Sequence, residues 1–146
     1  MADRFKIIIN ADGGSRGNPG PAALGVVIRG GEKNKKYGEF LGERTNNEAE
    51  YEAVIFALKK TRQLFGKEKT KEAEAEVFLD SELVVNQLNA EYKIEEERLF
   101  PLFIKIWNLR QDFGKITFQS VPREKNREAD RLVNIELDKK EQTKIF

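Results

Sequence analysis

Residues 5–29 read FKIIINADGGSRGNPGPAALGVVIR and carry the pattern on which the fold depends. Phe5–Asp12 is a short apolar run rich in β-branched side chains, which predicts a strand. Gly13–Pro21 is saturated with Gly, Pro, Asn and Ser and predicts a loop. Ala22–Arg29 is again apolar and predicts a second strand, so the segment is typical of two neighbouring strands of one sheet.

A third strand follows, and then the hydrophobic period changes. Gly30–Lys36 predicts a polar turn and Tyr37–Gly42 the third strand, which favours an antiparallel meander. Thr45 and Glu48 then fit the S/T-x-x-E capping box that begins a helix, with apolar residues at helical spacing behind it.

The rest of the chain alternates helices with strands after a charged linker at Gly66–Ala75. The predicted elements are a strand at Glu76–Asp80, helices at Ser81–Leu88 and Glu95–Phe113, a strand at Lys115–Val121, and a helix at Asn126–Lys140 with Asn126 as its N-cap. The order βββαβααβα predicts an α/β fold, with one mixed sheet covered by helices.

Composition excludes several kinds of chemistry. The 146 residues suit a single domain over 1–146, and 26 basic against 25 acidic residues give a net charge of +1. There is no cysteine and no histidine, so disulfides, thiol nucleophiles, zinc–thiolate sites and Ser–His pairs are excluded. A metal site must be built from oxygen ligands, which suits Mg²⁺ or Mn²⁺.

Nothing in the sequence indicates a membrane protein. No window approaches the roughly 20 consecutive apolar residues of a membrane-spanning helix, and the first residues, MADR, lack the apolar stretch of a signal peptide. We therefore expect a soluble, cytoplasmic protein. The near-neutral charge means that any anion-binding surface must come from a local arrangement.

Four carboxylates stand where the pattern predicts small or apolar residues. Asp12 and Asp80 end two predicted strands, Glu50 shares a helical face with alanines and a valine, and Asp130 shares one with Val133 and Leu137. Singly, each has an ordinary explanation as a turn residue, a helix cap, a surface acid or a first-turn charge. Four convergent carboxylates would repel one another without cations, and a divalent pair of the kind used in phosphoryl transfer would resolve that repulsion.

Three segments could contact nucleic acid, and each also has an ordinary explanation. The glycine-rich loop lacks the GK[ST] and G-x-G-x-x-G patterns but offers backbone amides with Ser15, Arg16 and Asn18. Asn46 and Asn47 sit in a first helical turn, where amides can read base edges and ribose hydroxyls. Residues 123–127 are locally basic and could steer an anionic backbone. The ordinary explanations remain equally open: the first segment would be a plain glycine-rich turn, the second a pair of asparagines tolerated near a helix cap, and the third a solvent-exposed loop.

One helix carries apolar residues on two faces. Phe100, Ile104 and Trp107 lie opposite the main apolar stripe of the helix predicted at Glu95–Phe113. This pattern predicts a helix buried on two sides rather than a binding surface.

Four blocks together resemble the type I branch of the ribonuclease H family, in particular its small stand-alone archaeal and bacterial members. The blocks are IINADGGSRGNPGPAALGVVI, RTNNEAEYEAVIFAL, VFLDSELVVNQL and VPREKNREADRLVN, in order from Phe5 to Leu137. The resemblance implies a ribonuclease H-like fold with a five-stranded mixed sheet of order 3-2-1-4-5 flanked by α-helices.

The resemblance also implies an activity and a site. Asp12, Glu50, Asp80 and Asp130 would be both catalytic and metal-binding and would hold two Mg²⁺ or Mn²⁺ ions. The enzyme would hydrolyse the RNA strand of RNA–DNA hybrids and leave 5′-phosphate and 3′-hydroxyl ends. A nuclease of the same fold acting on double-stranded RNA, and a non-catalytic nucleic-acid-binding relative, remain alternatives. We expect a monomer with no obligate protein partner.

The candidate nucleic-acid contacts combine the residues singled out above with those that the resemblance implies. They are Gly13, Ser15, Arg16, Gly17, Asn18, Thr45, Asn46, Asn47, Ser81 and Arg123. The resemblance implies that Thr45 would lie near a phosphate of the DNA strand.

The sequence departs from the family pattern in two places. Many members have a histidine before the last acid, where this chain has Arg123–Asn126. Some members carry a basic, Trp-rich protrusion where residues 89–97 of this chain are acidic on balance, so we expect a modest, salt-sensitive affinity for hybrids.

Overall fold

The computed structural model describes residues 4–145, and the side chains of residues 4–143. The single-domain prediction for 1–146 therefore extends beyond the described residues at both ends. The strands are β1 (Lys6–Ser15), β2 (Gly20–Gly30), β3 (Lys33–Arg44), β4 (Glu74–Leu79) and β5 (Lys115–Ser120). The helices are α1 (Asn46–Phe65), α2 (Lys67–Glu72), α3 (Glu82–Leu88), α4 (Phe100–Arg110) and α5 (Arg127–Ile145).

The five strands form one mixed sheet of order β3-β2-β1-β4-β5. The pairs β1–β2 and β2–β3 are antiparallel, as short turns between consecutive strands require. The pairs β1–β4 and β4–β5 are parallel, because helices carry the chain back across the sheet before each new strand. The predicted fold and strand order are confirmed.

The two predicted turns of the meander are shorter than expected. Instead of a loop over Gly13–Pro21, antiparallel pairing continues from Gly13 opposite Leu24 to Ser15 opposite Ala22, and residues 16–19 alone connect β1 to β2. The turn predicted at Gly30–Lys36 closes at residues 31–32, because β3 already begins at Lys33. Polar and glycine residues suggested loops here, but cross-strand backbone pairing overrides this preference.

The predicted charged linker is partly ordered. Residues 67–72 form α2, and β4 begins two residues earlier than predicted, at Glu74. The helix buries only Thr70, so it has no apolar stripe that the sequence could have revealed. The helix predicted over Glu95–Phe113 is also shorter: a 3₁₀ turn at Glu97–Leu99 leads into α4.

The core lies mainly on one face of the sheet, where α1, α3 and α4 pack. Alternate residues of β1, β2 and β4 are buried against these helices, as the period of two requires. The opposite face is covered by α5, which packs Val133 and Leu137 against Ala23 of β2 and Phe40 of β3. The helices on both faces extend to the edge of the sheet at which β1 and β4 end.

Helix α4 is not buried on two sides, so that prediction is wrong. Phe100, Ile104 and Trp107 are 43%, 56% and 52% exposed, whereas Ile106 on the opposite side is buried. The helix packs mainly against α1. None of the described helices combines the length and apolar character needed to cross a membrane.

A glycine in β2 lets α5 approach the sheet closely. A Cβ on Gly25 would overlap the carbonyl oxygen of Ala129, a backbone atom of α5 that cannot move aside locally. Gly25 also pairs with Asp12 on the neighbouring strand β1. The close approach of α5 to β2 therefore occurs next to a candidate catalytic acid.

We expect Gly25→Ala to reduce the free energy of unfolding by about 1–3 kcal/mol, because the added methyl group forces α5 away from the sheet. Gly14→Ala on the neighbouring strand is the control, since its Cβ would meet only Val133 Cγ1 at an ordinary 3.8 Å. Urea denaturation followed by circular dichroism measures both variants. Equal stability of the two would contradict the close-packing explanation.

Candidate active site

Two of the candidate acids come from the ends of adjacent parallel strands. Asp12 lies near the end of β1, and Asp80 directly follows Leu79, the last residue of β4. Because β1 and β4 are parallel neighbours, their carboxyl ends meet at one edge of the sheet, where α/β proteins commonly bind ligands.

Helix α1 brings the third acid, and its capping box fixes where the helix begins. The Glu48 amide donates to Thr45 Oγ1 at 3.2 Å, and the Thr45 amide donates to Glu48 Oε1 at 3.0 Å. Glu48 is therefore engaged at the cap, as predicted, and Glu50 points into the site. A Cβ on Gly13 would overlap the Ala49 carbonyl, so the glycine lets the start of α1 rest on β1.

Helix α5 brings the fourth acid through a buried amide. Asn126 directly precedes the helix, as predicted, but its side chain bonds to β1 rather than capping the helix. Its Nδ2 donates to the Ala11 carbonyl at 2.9 Å, and its Oδ1 accepts from Asn10 Nδ2 at 3.0 Å. The Asp130 amide in turn donates to the Asn126 carbonyl at 3.1 Å, which ties the first turn of α5 to the strand that carries Asp12.

The four acids line one cleft of about 470 Å³. One carboxylate oxygen from each of Asp12, Glu50 and Asp80 lies within 4.8 Å of the others. Asp130 stands at the side of this group and accepts a hydrogen bond from Arg123 Nη2 at 3.2 Å. The cleft is also lined by Gly13, Gly14, Ser15, Arg16, Asn46, Ser81, Arg123, Val133, Asn134 and Leu137.

The convergence of acids makes ionisation of the site costly. Burial raises the pKa of Asp12 to about 8, and the charges of Asp80 and Asp130 add to the rise. Burial likewise raises the pKa of Glu50 to about 9, with contributions from Asp12 and Asp80. The pKa of Asp80 is also raised by burial, although the Arg123 guanidinium opposes the rise. Without an added cation, burial and the neighbouring acids therefore favour the protonated forms of Asp12 and Glu50.

The donor set fits a divalent cation of the magnesium type. Glu50 Oε2 is buried and has no hydrogen-bond partner, an arrangement that costs free energy unless a ligand meets the atom. The three clustered ligand atoms are all carboxylate oxygens, which Mg²⁺ and Mn²⁺ prefer and which suit zinc or copper less well.

The structure brings six of the ten candidate nucleic-acid contacts into the cleft. They are Gly13, Ser15, Arg16, Asn46, Ser81 and Arg123. Thr45 and Asn18 line an adjoining cavity of about 820 Å³, whose other wall is formed by Glu95–Glu97 and Arg98. Gly17 is exposed beside it in the turn between β1 and β2, with φ 99°. Asn47 faces the acidic segment Glu95–Glu97 and donates from Nδ2 to Glu96 Oε1 at 3.0 Å.

Asn46 joins the turn after β1 to the start of α1. Its Oδ1 accepts from the Ser15 amide at 2.9 Å and from Ser15 Oγ at 3.1 Å. Its backbone amide donates to Asn18 Oδ1 at 3.0 Å. Ser81 has a capping role, since its hydroxyl accepts from the Val84 amide at 3.2 Å at the start of α3.

Sequence reasoning missed three polar residues that support the site. Asn10 bonds Asn126, Glu96 bonds Asn47, and Asn134 donates from Nδ2 to the Asp130 carbonyl at 3.1 Å. The spacing of four residues between Asp130 and Asn134 could have identified Asn134, because such residues share one helical face. No local signal pairs Asn10 or Glu96 with residues so distant in the chain.

The sheet order and the acids at the ends of β1 and β4 define a ribonuclease H-like domain, the fold of the solved structures that the chain matches. A family model described as reverse transcriptase-like matches residues 10–135, and the chain belongs to this ribonuclease H-like family. The resemblance inferred from the four sequence blocks is thereby confirmed.

Two curated relatives share much of this chain and are longer than it. The bifunctional protein Rv2228c of Mycobacterium tuberculosis is 38% identical over 137 residues, which cover 92% of this chain and 36% of that protein. Ribonuclease HI of Halobacterium salinarum is 37% identical over 129 residues, which cover 87% of this chain and 62% of that enzyme. The chain thus spans less than two thirds of the length of either relative.

Solved structures match over nearly their whole length. The N-terminal RNase H domain of Rv2228c from M. tuberculosis, solved as a fusion with maltose-binding protein, has a TM-score of 0.85 and 37% identity, covering 95% of this chain and 98% of that one. LC11-RNase H1, solved in complex with an RNA/DNA hybrid, has a TM-score of 0.84 and 45% identity, covering 91% of this chain and 97% of that one.

We expect Asp12→Asn to stabilise the metal-free protein at alkaline pH. The pKa of Asp12 rises from 3.8 to about 8 in the folded state, so stability present at low pH is lost as the pH rises toward 8. The amide of Asn carries no charge, so the variant does not lose this stability. Relative to the wild type, we expect its free energy of unfolding to be about 1–3 kcal/mol higher near pH 8 and equal near pH 4.

Urea denaturation in chelator at several pH values measures this effect. Glu39→Gln, which removes an exposed carboxylate of β3, is the matched control and should change stability little. If the metal-free wild type is at least as stable as Asp12→Asn at pH 8, the clustered acids do not destabilise the folded protein.

Proposed function

We propose that the protein is a metal-dependent endoribonuclease that hydrolyses the RNA strand of RNA–DNA hybrids and leaves 5′-phosphate and 3′-hydroxyl ends. The observation that carries this proposal is the convergence of Asp12, Glu50 and Asp80 within 4.8 Å, with Asp130 in the same cleft. The names of the relatives support it, since one is a ribonuclease HI and another was solved with an RNA/DNA hybrid.

The four carboxylates would hold two Mg²⁺ or Mn²⁺ ions. When bound, such a pair supplies Lewis-acid stabilisation of a phosphodiester and an activated water for in-line attack. Asp12, Glu50 and Asp80 would provide the clustered ligands, and Asp130, which now accepts from Arg123, would add a ligand from α5. The guanidinium of Arg123 then remains at the mouth of the cleft, where it can attract a phosphate.

The two asparagines after Thr45 present complementary hydrogen-bonding groups. Oδ1 of Asn46 accepts from Ser15, so its Nδ2 is the group that can donate to a ribose oxygen. Nδ2 of Asn47 donates to Glu96, so its Oδ1 is the group that can accept from a 2′-hydroxyl. A 2′-hydroxyl distinguishes RNA from DNA because it is both a donor and an acceptor. This pair supports selection of an RNA strand.

Cleavage of a hybrid end-labelled on its RNA strand tests the function. We expect cutting of the RNA with Mg²⁺ or Mn²⁺, none with chelator, and a loss of at least about 100-fold in Asp12→Asn and Asp80→Asn because the metal cradle loses a ligand charge. Double-stranded RNA and DNA run alongside as competing substrates. Equal cutting of double-stranded RNA would identify a nuclease of broader specificity, and binding without cutting under every metal condition would identify a recognition module.

We expect Asn47→Ala to weaken hybrid cleavage by roughly tenfold without unfolding the protein, because it removes one acceptor for the RNA strand. Steady-state kinetics on the hybrid measures the effect, and circular dichroism checks the fold. Gln63→Ala, at an exposed position on the far end of α1, is the matched control. Unchanged kinetics of Asn47→Ala would remove this residue from the substrate contacts.

A further inference from the structure

We propose that Arg16 is a positioning residue that clamps the turn after β1 onto α5 and does not bind nucleic-acid phosphate. The effect of this clamp on substrate binding rests on the proposed function. The clamp itself is a property of the free protein and can be tested without substrate. It replaces the role that the sequence suggested for this arginine, which was a direct contact with the nucleic acid.

Three side chains of α5 contact the two terminal nitrogens of the Arg16 guanidinium. Nη1 pairs with Glu141 Oε1 at 2.7 Å, and Nη2 pairs with Asp138 Oδ1 at 2.8 Å. Nη2 also donates to Asn134 Oδ1 at 3.1 Å. Two carboxylates and an amide thus hold both terminal nitrogens of a side chain that is only 34% exposed. The planar fork of arginine suits such multiple contacts, whereas lysine offers a single point charge.

The clamp connects the turn to both helices of the site. On one side, Asn134 donates from Nδ2 to the carbonyl of Asp130, so the network reaches the helical turn that carries the fourth acid. On the other side, Oδ1 of Asn18 in the turn accepts from the backbone amide of Asn46 at the start of α1. The turn of residues 16–19 therefore bridges α1 and α5, and Arg16 provides its attachment to α5.

Charge also argues against a phosphate ligand. A phosphate that bound Arg16 would have to displace two carboxylates that already pair with it, and it would then face those carboxylates. In the clamped arrangement, Arg16 instead neutralises part of the negative charge that Asp138 and Glu141 present beside the cleft. Phosphate attraction falls to Arg123, which pairs with the single carboxylate of Asp130 at 3.2 Å and whose side chain is 74% exposed.

Hydrogen exchange of the free protein tests the clamp directly. The Ser15 amide donates to Asn46 Oδ1 and the Arg16 amide to the Pro21 carbonyl. We expect these two amides to exchange about threefold to tenfold faster in Arg16→Met, and also in the double variant Asp138→Asn/Glu141→Gln, because each opens the same network. Lys139→Met is the matched control, since Lys139 lies between the clamp residues in sequence but pairs with Glu136. Unchanged exchange in both clamp variants would overturn the proposal.

The salt dependence of hybrid binding separates a clamp from a phosphate contact. Affinity for a labelled RNA–DNA hybrid is measured by fluorescence anisotropy in chelator over a range of salt. Loss of one phosphate contact lowers the slope of log K against log salt by about 0.9. We expect Arg16→Met to bind roughly threefold to tenfold more weakly with an unchanged slope, and Arg123→Met to show the lowered slope.

A lowered slope in Arg16→Met would overturn the proposal even if exchange accelerates. If the wild type does not bind hybrids at all, the proposed function fails, and the exchange experiment still decides whether the clamp exists.

Discussion

The burial of closely spaced carboxylates is the constraint around which the structure is organised. Asp12 is only 6% exposed, an oxygen of Glu50 is buried without a partner, and Asp80 and Asp130 reach the same cleft. Burial and neighbouring charge raise the pKa of both Asp12 and Glu50. A scaffold that gathers such groups loses stability, and this loss is offset when cations bind to the folded state alone.

Backbone contacts and small residues hold the acids together despite this loss of stability. Glycines at positions 13 and 25 let α1 and α5 rest on the strands from opposite faces of the sheet. The capping box at Thr45 fixes the start of α1, and the Asn126 side chain fixes the start of α5 against β1. Each acid is therefore positioned by a rigid element, as a preorganised metal site requires.

The sequence predicted the framework because the framework depends on local patterns. The apolar strands, the capping box and the four misplaced acids could each be read within a few residues, and their order along the chain matched a known family. Contacts that depend on distant pairing could not be read in this way: the extension of β1 to Ser15, the short helix α2, and the bond of Asn126 to β1. The prediction that α4 is buried on two sides is also wrong, because the spacing of apolar residues on a helix is the same whether or not another element covers that face.

Mn²⁺ binding to the protein without substrate tests most directly whether these carboxylates together form one site for divalent cations. Calorimetric titration of the wild type should show saturable binding with proton release near pH 7, because the bound metal displaces protons from Asp12 and Glu50 into the buffer. Asp12→Asn and Glu50→Gln should each abolish or greatly weaken it, whereas Glu39→Gln should not. Mn²⁺ binding of equal strength in Asp12→Asn and the wild type would contradict a cation site shared by these carboxylates.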